Sequence, residues 1–343
     1  MKKILMLFVS VLFFMTLVAC GTNSESEGES EGNNESDGAA ESKELKLAHN
    51  LSEDHPIHTA LTTFAESVEE KTDGTVTMEI FSNGVLGSEK EVLEQVQSGA
   101  VDMTKVSAGA LESFSNQYSV FSLPYIFTSQ EHYRNVMESD VVDGIYQSTS
   151  DNGFVGLSYF DSGARSFYTK DTPIETPEDL NGLKIRVMDS PTAIEMVNLL
   201  GGTPTPLPYG EIYTALQQGV IDGAESNPTA LTTGKHGEVA KAFSYSEHTI
   251  IPDILIVSTK TWDSLTDEQK QAFNEAANEA RESHTELWDA AIEEAVNEAK
   301  EMGVEFNEVD KAPFIEAVQP LHDEFSEDAE IAEIINQMKE LDK

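Results

Sequence analysis

Four arginines occur in the chain, Arg134, Arg165, Arg186 and Arg281, and two of them stand where strands are expected to end. Arg165 lies in Gly163-Ala-Arg165-Ser-Phe-Tyr and Arg186 in Gly182-Leu-Lys-Ile-Arg186-Val. Against 62 acidic and 21 basic side chains, a guanidinium set in a cleft reads as a planar, permanently charged fork for a carboxylate, a task that suits the point charge of Lys less well. The chemistry this predicts is capture of a small organic acid that leaves unchanged. The bland alternative for Arg186 is a surface or interlobe salt bridge in an acid-rich protein.

Other residue sets point elsewhere with less support. His49, His55 and His58 invite a metal, but no nearby carboxylate or Cys completes a set, and Pro56 disturbs the helical spacing between His55 and His58. Glu225 and His248 could pair as acid and base, yet no nucleophile accompanies them, which favours a structural network. Gly28-Glu-Ser30-Glu-Gly32 matches a serine-hydrolase pattern but lacks the strand and helix of a nucleophile elbow. Trp288 reads as core. Tyr209 reads as a contact for a bound molecule.

A formal net charge of -41 and a pI near 4.3 argue against nucleic acid and against adhesion to anionic lipid through a basic patch. Residues 1–19 read as an export signal, with Lys2 and Lys3 before an apolar run too short to span a membrane comfortably. The single cysteine, Cys20, has no second Cys to pair with. Residues 20–43 are rich in Ser, Glu, Gly and Asn and form an acidic tether with almost nothing to bury.

The elements that must position the arginines follow from periodicity. Glu44 to His49, Thr75 to Phe81 and Val101 to Val106 read as strands, separated by helices over Ile57 to Lys71 and Ser88 to Ser98. Such a βαβαβ opening implies parallel strands with ligand contacts at their carboxyl ends. A second series follows Ser162. Its strands are expected over Ser166 to Thr169, Leu183 to Val187, Thr203 to Leu207 and Val220 to Ala224, with helices over Thr192 to Leu200 and Glu211 to Gln218. Thr249 to Ser258, with Pro252 near its start, is expected to pass between lobes.

From Thr266 a capping box opens an almost Gly- and Pro-free run to Met302, with Phe273, Ala277, Ala280, Leu287, Trp288, Ala291 and Val296 on its apolar stripe. One helix of that length would reach about 55 Å and brace both lobes; two helices broken near Glu282 to Thr285 are the alternative. The expected fold is α/β, two lobes around a cleft with a long bracing helix. Lobe I is assigned 44–162 plus 252–290, and lobe II 163–251 plus 291–343.

Several blocks carry a family resemblance: Leu86-Gly-Ser-Glu-Lys-Glu, Leu123-Pro-Tyr-Ile-Phe127, Gly163-Ala-Arg165, Glu178-Asp-Leu-Asn-Gly-Leu-Lys-Ile-Arg186-Val, and Glu211 through Glu225. From about Leu45 to Met302 the chain resembles the solute-binding proteins of TRAP transporters, the tripartite ATP-independent carriers. The resemblance implies a periplasmic-binding-protein-like fold of type II that closes on an organic acid and hands it to small and large integral membrane subunits driven by a sodium gradient. It implies Arg186 as the bidentate carboxylate reader, Arg165 as a second arginine, Asn227 or the neighbouring Ser226 as an amide or hydroxyl contact, and Tyr209 as an aromatic over the ligand.

Glu225 and His248 then resemble a network with Arg165 that senses closure. The segments around Asp222 to Pro228, Ser246 to Leu255 and Lys260 to Asp263 look closest to the branch that takes sugar acids such as hexuronates. Asn50, His55 and Glu89, with Lys105 or Ser107, become hydroxyl readers. Cys20, after Leu17-Val-Ala, resembles a lipobox, which implies a lipid anchor outside the cytoplasm. No cofactor, no metal, no enzymatic step and a monomer are expected. The rival readings are the receptor of an ATP-driven (ABC-type) importer and a surface hydrolase of acidic polysaccharide, which would need two carboxylates flanking a bond.

Overall fold

The computed structural model describes residues 42–342; the export signal, Cys20 and nearly all of the tether lie outside the described residues. In chain order the strands are β1 (Lys43–Ala48), β2 (Val76–Phe81), β3 (Met103–Ser107), β4 (Phe154–Phe160), β5 (Ala164–Thr169), β6 (Lys184–Val187), β7 (Thr203–Pro206), β8 (Gly223–Ser226), β9 (Ala242–Ile250), β10 (Asp253–Ser258) and β11 (Glu305–Glu308). They form two sheets, ordered β2-β1-β3-β10-β4 and β11-β9-β5-β8-β6-β7.

In the first sheet β1 runs parallel to β2 and β3, as the alternating strand and helix patterns of the opening segment require. Helix α1 (Pro56–Lys71) ends at Thr72, and helix α2 (Glu89–Ser98) begins with a reciprocal capping box between Ser88 and Glu91. That cap places Glu89 in the first turn of α2, at the carboxyl edge of the sheet. Strand β3 is buried along its whole length, so Lys105 at its middle must find partners inside the protein.

Strand β9 belongs to the second sheet and β10 to the first, so the chain changes lobe at Ile251-Pro252, where Pro252 lacks the N–H that continuing a ladder would use. Residues 161–163 make the other crossing, with Gly163 at φ 65, a left-handed conformation that glycine adopts without a Cβ penalty. Strand β7 carries Pro204 and Pro206 because it is an edge. Strand β8 starts three residues later than its pattern predicts. Gly219 closes the preceding helix in the left-handed region and Val220 is left exposed, so pairing starts at Gly223.

Asp267–Glu301 is one continuous helix of 35 residues opened by the Thr266–Gln269 capping box. Its alternative break does not occur, because no Gly or Pro interrupts it and the buried His284 ring bonds the Asp161 carbonyl at 2.8 Å. The amino-terminal half gives Phe273, Ala276, Ala277 and Ala280 to the core of the first lobe, and Ala299 joins the core of the second with Tyr168, Leu216 and Phe243. Trp288 is buried between them, 3.4 Å from where a Cβ on Gly163 would stand. Leu287, expected on the buried stripe, is instead 50% exposed. The buried face is set by His284 and Trp288, one turn apart, and Leu287 falls about 100° away from Trp288 around the axis.

Phe273 is fully buried and meets Phe64 of α1 edge to face, with ring centroids 5.8 Å apart. Phe273→Ala should therefore cost about 3–5 kcal/mol of stability, read as a lower urea midpoint at unchanged slope. A midpoint within error of the parent would show that the bracing helix does not depend on this contact.

Candidate functional site

The carboxyl ends of parallel strands from both sheets face one cleft, as open α/β sheets favour. Its inner part, a cavity of about 50 Å³, is lined by all nine of the residues singled out for ligand contact: Asn50, His55, Glu89, Lys105, Ser107, Arg165, Arg186, Tyr209 and Asn227. A second cavity of about 290 Å³ shares Glu89, Arg186, Met188 and Tyr209 with it and leads outward past Lys90 and Asp189. Those two form an exposed ion pair at 3.1 Å.

Arg186, on β6, is 4% exposed. Its Nε donates to the Leu207 carbonyl at 2.8 Å, and among the described residues no carboxylate lies within 4.0 Å of its nitrogens. Burial depresses its pKa, and the Arg165 charge pushes the same way against Glu225. A desolvated cation whose terminal nitrogens lack a carboxylate is a site awaiting an anion.

Arg165 differs. Its Nε bonds Glu225 Oε2 at 2.5 Å, and one terminal nitrogen bonds Oε1 at 2.8 Å and the Glu225 carbonyl at 2.7 Å. A register shift between Arg165 and Phe167 where β5 meets β9 aims the side chain. Burial works to raise the Glu225 pKa, but the Arg165 charge and the hydrogen bonds from His248 and Arg165 outweigh it and hold the carboxyl at about 2. His248 lies with Nε2 3.5 Å from Glu225 Oε2, Nδ1 2.9 Å from Ser246 Oγ, and its ring stacked on Phe167 at 4.4 Å. Burial pushes the imidazole pKa down, against the pull of Glu225.

On the first lobe Lys105 donates to Asn50 Oδ1 at 3.1 Å and Asp253 Oδ1 at 3.0 Å, and stands 3.5 Å from Glu89 Oε1. These three acceptors match the three N–H donors of the ammonium. Glu89 Oε1 also accepts from the Ser107 backbone N–H at 3.1 Å, and Ser162 Oγ donates to Asp253 Oδ2 at 3.2 Å. Asn227 spans the crossing: its Nδ2 donates to the Ser162 carbonyl at 2.8 Å while Oδ1 accepts from Thr229 N–H and Oγ–H. Ser226 lines the cleft beside it. His55 Nδ1 accepts from Ile57 N–H at the start of α1, and its Nε2 lies 3.1 Å from Thr229 Oγ1, linking the two lobes.

The three early histidines do not converge: His49 Nε2 meets His58 Nδ1 at 3.0 Å, and His55 turns to Thr229. Burial, followed by the Lys105 charge, drives the His49 pKa down to about 3 and that of His55 well below its usual value. Tyr209 is pushed up to about 12 by burial. Asp253, Ser162, Met188 and Thr229 also line the cleft, outside the residues that motif or residue type points to. For Asp253 a signal existed: it is the one charge in the apolar run from Thr249 to Ser258.

Residues 47–328 match the family described as bacterial extracellular solute-binding protein, family 7. A Salmonella typhimurium relative, the uncharacterized protein YiiZ, is 48% identical over 281 residues, covering 81% of this chain and 86% of its own. A solute-binding protein of Chromohalobacter salexigens is 38% identical over 272 residues, covering 79% and 81%. Among solved structures, a TRAP periplasmic solute binding protein from Anaerococcus prevotii with bound α/β D-glucuronate aligns at TM-score 0.85 and 40% identity, covering 87% of this chain and 97% of that one. One from Xanthobacter autotrophicus with bound β-D-galacturonate aligns at TM-score 0.84 and 38% identity, covering 86% and 99%. With this match spanning both sheets and the cleft between them, the chain belongs to the family 7 bacterial extracellular solute-binding proteins and serves as the solute receptor of a TRAP transporter.

Proposed function

We propose that the receptor binds a hexuronate, D-glucuronate or D-galacturonate, and delivers it to a permease of small and large integral subunits. The observation that carries this reading is the buried Arg186 guanidinium, short of an anionic partner, facing Asn50 and Glu89 on the other lobe. The sugar acids in the solved relatives support the same chemistry. The carboxylate docks in the Arg186 fork with Arg165 and Asn227 beside it and Tyr209 over the ring. Asn50, His55, Glu89 and Ser107 read the hydroxyls, with Lys105 holding Asn50 and Glu89 in place.

The ligand leaves unchanged: Glu225 is committed to Arg165, and Glu89 and Asp253 share Lys105, so no carboxylate pair is free to flank a glycosidic bond. The lobes divide as 44–162 with 252–290 and 163–251 with 291–343. Lipid on Cys20 and the acidic tether hold a monomer at the outer face of the membrane. No helix among the described residues is long and apolar enough to cross a membrane. Because Arg186 is nearly inaccessible in this conformation, the ligand enters by separation of the lobes, and Arg165, Glu225 and His248 couple that motion to occupancy.

Replacing Arg186 by Lys keeps the charge and loses the fork. Its affinity for the uronate should fall on the order of 100-fold by titration calorimetry; unchanged affinity would remove Arg186 from the role of carboxylate reader.

Glu225→Gln strips Arg165 of its buried counter-charge and should cost about 3–5 kcal/mol at neutral pH. The folded carboxyl titrates at about 2, below an unfolded value of about 4.3. Its contribution is therefore complete above the unfolded value and drains away as pH falls through the folded one. Urea unfolding of parent and variant should show a gap that is widest at neutral pH and narrows between about pH 4.3 and 2. A gap that stays constant across that interval would mean that the Arg165–Glu225 pair does not set it.

A further inference from the structure

The charged side chains around the inner cleft, buried or partly so, can be counted. Arg165, Arg186 and Lys105 are the cations; Glu225, Glu89 and Asp253 are the carboxylates. They are not paired evenly. Arg165 takes Glu225 whole, through two nitrogens. Lys105 is shared by Glu89 and Asp253, and its remaining donor goes to Asn50. One positive charge is therefore left over at Arg186 on the second lobe, and one negative charge at the Glu89–Asp253–Lys105 cluster on the first.

The two surplus charges demand different ends of one molecule. At Arg186 an anion replaces lost water with two charge-assisted hydrogen bonds. At the opposite wall Glu89 Oε1 already accepts from the Ser107 N–H and faces Lys105, while Oε2 has no protein donor among the described residues. An ionised carboxylate only accepts. What lies against it must bring a proton to share, as a hydroxyl does and a second carboxylate cannot. Lys105 offers a second carboxylate no compensation, because its three N–H donors face acceptors in the protein and it is only 2% exposed.

Resting on the hexuronate reading above, we infer that the Glu89–Asp253–Lys105 cluster limits the site to ligands bearing a single negative charge, excluding diacids of the same carbon skeleton and short dicarboxylates. Asp253 acts as a positioning residue. It takes one donor of the Lys105 ammonium at 3.0 Å, sharing that charge, and so leaves Glu89 under-neutralised toward the cleft. Discrimination by a like charge in a dry site is steep, since the wrong ligand must bury two facing carboxylates.

The test pairs each acid with its diacid: titration calorimetry of the delipidated full chain with D-glucuronate against D-glucarate, D-galacturonate against galactarate, and N-acetylneuraminate and succinate alone. The parent should bind its uronate at least about 100-fold more tightly than the matching diacid. Glu89→Gln, at a partly exposed position, and Asp253→Asn should each shrink that ratio about 10-fold or more. Urea unfolding of both variants identifies any that fails to fold, in which case the ratio in the other decides.

Tight succinate or glucarate binding by the parent would overturn the inference, as would variants whose ratio equals that of the parent. Binding of N-acetylneuraminate with every diacid and both uronates refused would sink the uronate reading while upholding the single-charge limit. Refusal of every acid would defeat both.

Discussion

Burying a guanidinium without a carboxylate beside it is costly, and the structure retains Arg186 in that condition at 4% exposure with a backbone carbonyl as its hydrogen-bond acceptor. That cost is bearable only because neighbouring charges are already balanced. Glu225, the carboxylate whose charge acts most strongly on Arg186, is held by the Nε and a terminal nitrogen of Arg165. The Arg165–Glu225 fork thus does more than stabilise β5 against β8. It keeps a carboxylate from collapsing onto Arg186 and leaves that cation for a ligand.

The same economy shapes the crossing between lobes. Asp161 accepts from the Gly163 N–H and its carbonyl accepts from His284, Ser162 gives its carbonyl to Asn227 and its hydroxyl to Asp253, and Gly163 leaves room for Trp288. Three consecutive residues therefore connect the bracing helix, the second lobe and the Lys105 cluster. Pro252 makes the return crossing one residue before Asp253. A rotation about these segments moves Asn227 on one lobe relative to Asp253 on the other, with Ser162 bonded to both, so the polar lining of the cleft and the geometry of the hinge are not separable.

Much of this could be read before any coordinates. The βαβαβ opening, the change of lobe at Pro252, the uninterrupted bracing helix and the gathering of Arg165, Glu225 and His248 all follow from local pattern or motif. What escaped depends on distance along the chain and on phase. Lys105 finds Asp253 148 residues away, a pairing that no periodicity encodes. Apolarity alone puts Leu287 on the buried stripe, yet its neighbour Trp288 takes the inward position because that direction meets His55 and His284. Strand β8 slid to Gly223 because Gly219 ends the preceding helix with a left-handed turn, which strand propensity does not weigh.

Dividing the recognition chemistry between lobes has a thermodynamic consequence. Arg186 sits on the second sheet, whereas Lys105 and Asp253 sit on the first, with Asn50 and Glu89 on the loop and helix at its edge. An acid held by one lobe alone satisfies only one of the two surplus charges, and the full interaction free energy is realised when both walls meet it. A ligand shifts a conformational equilibrium only by its differential affinity for the two states. A small anion without hydroxyls can therefore occupy Arg186 yet draw little from the first lobe. A sugar acid engages both walls, so selectivity and closure arise from the same contacts.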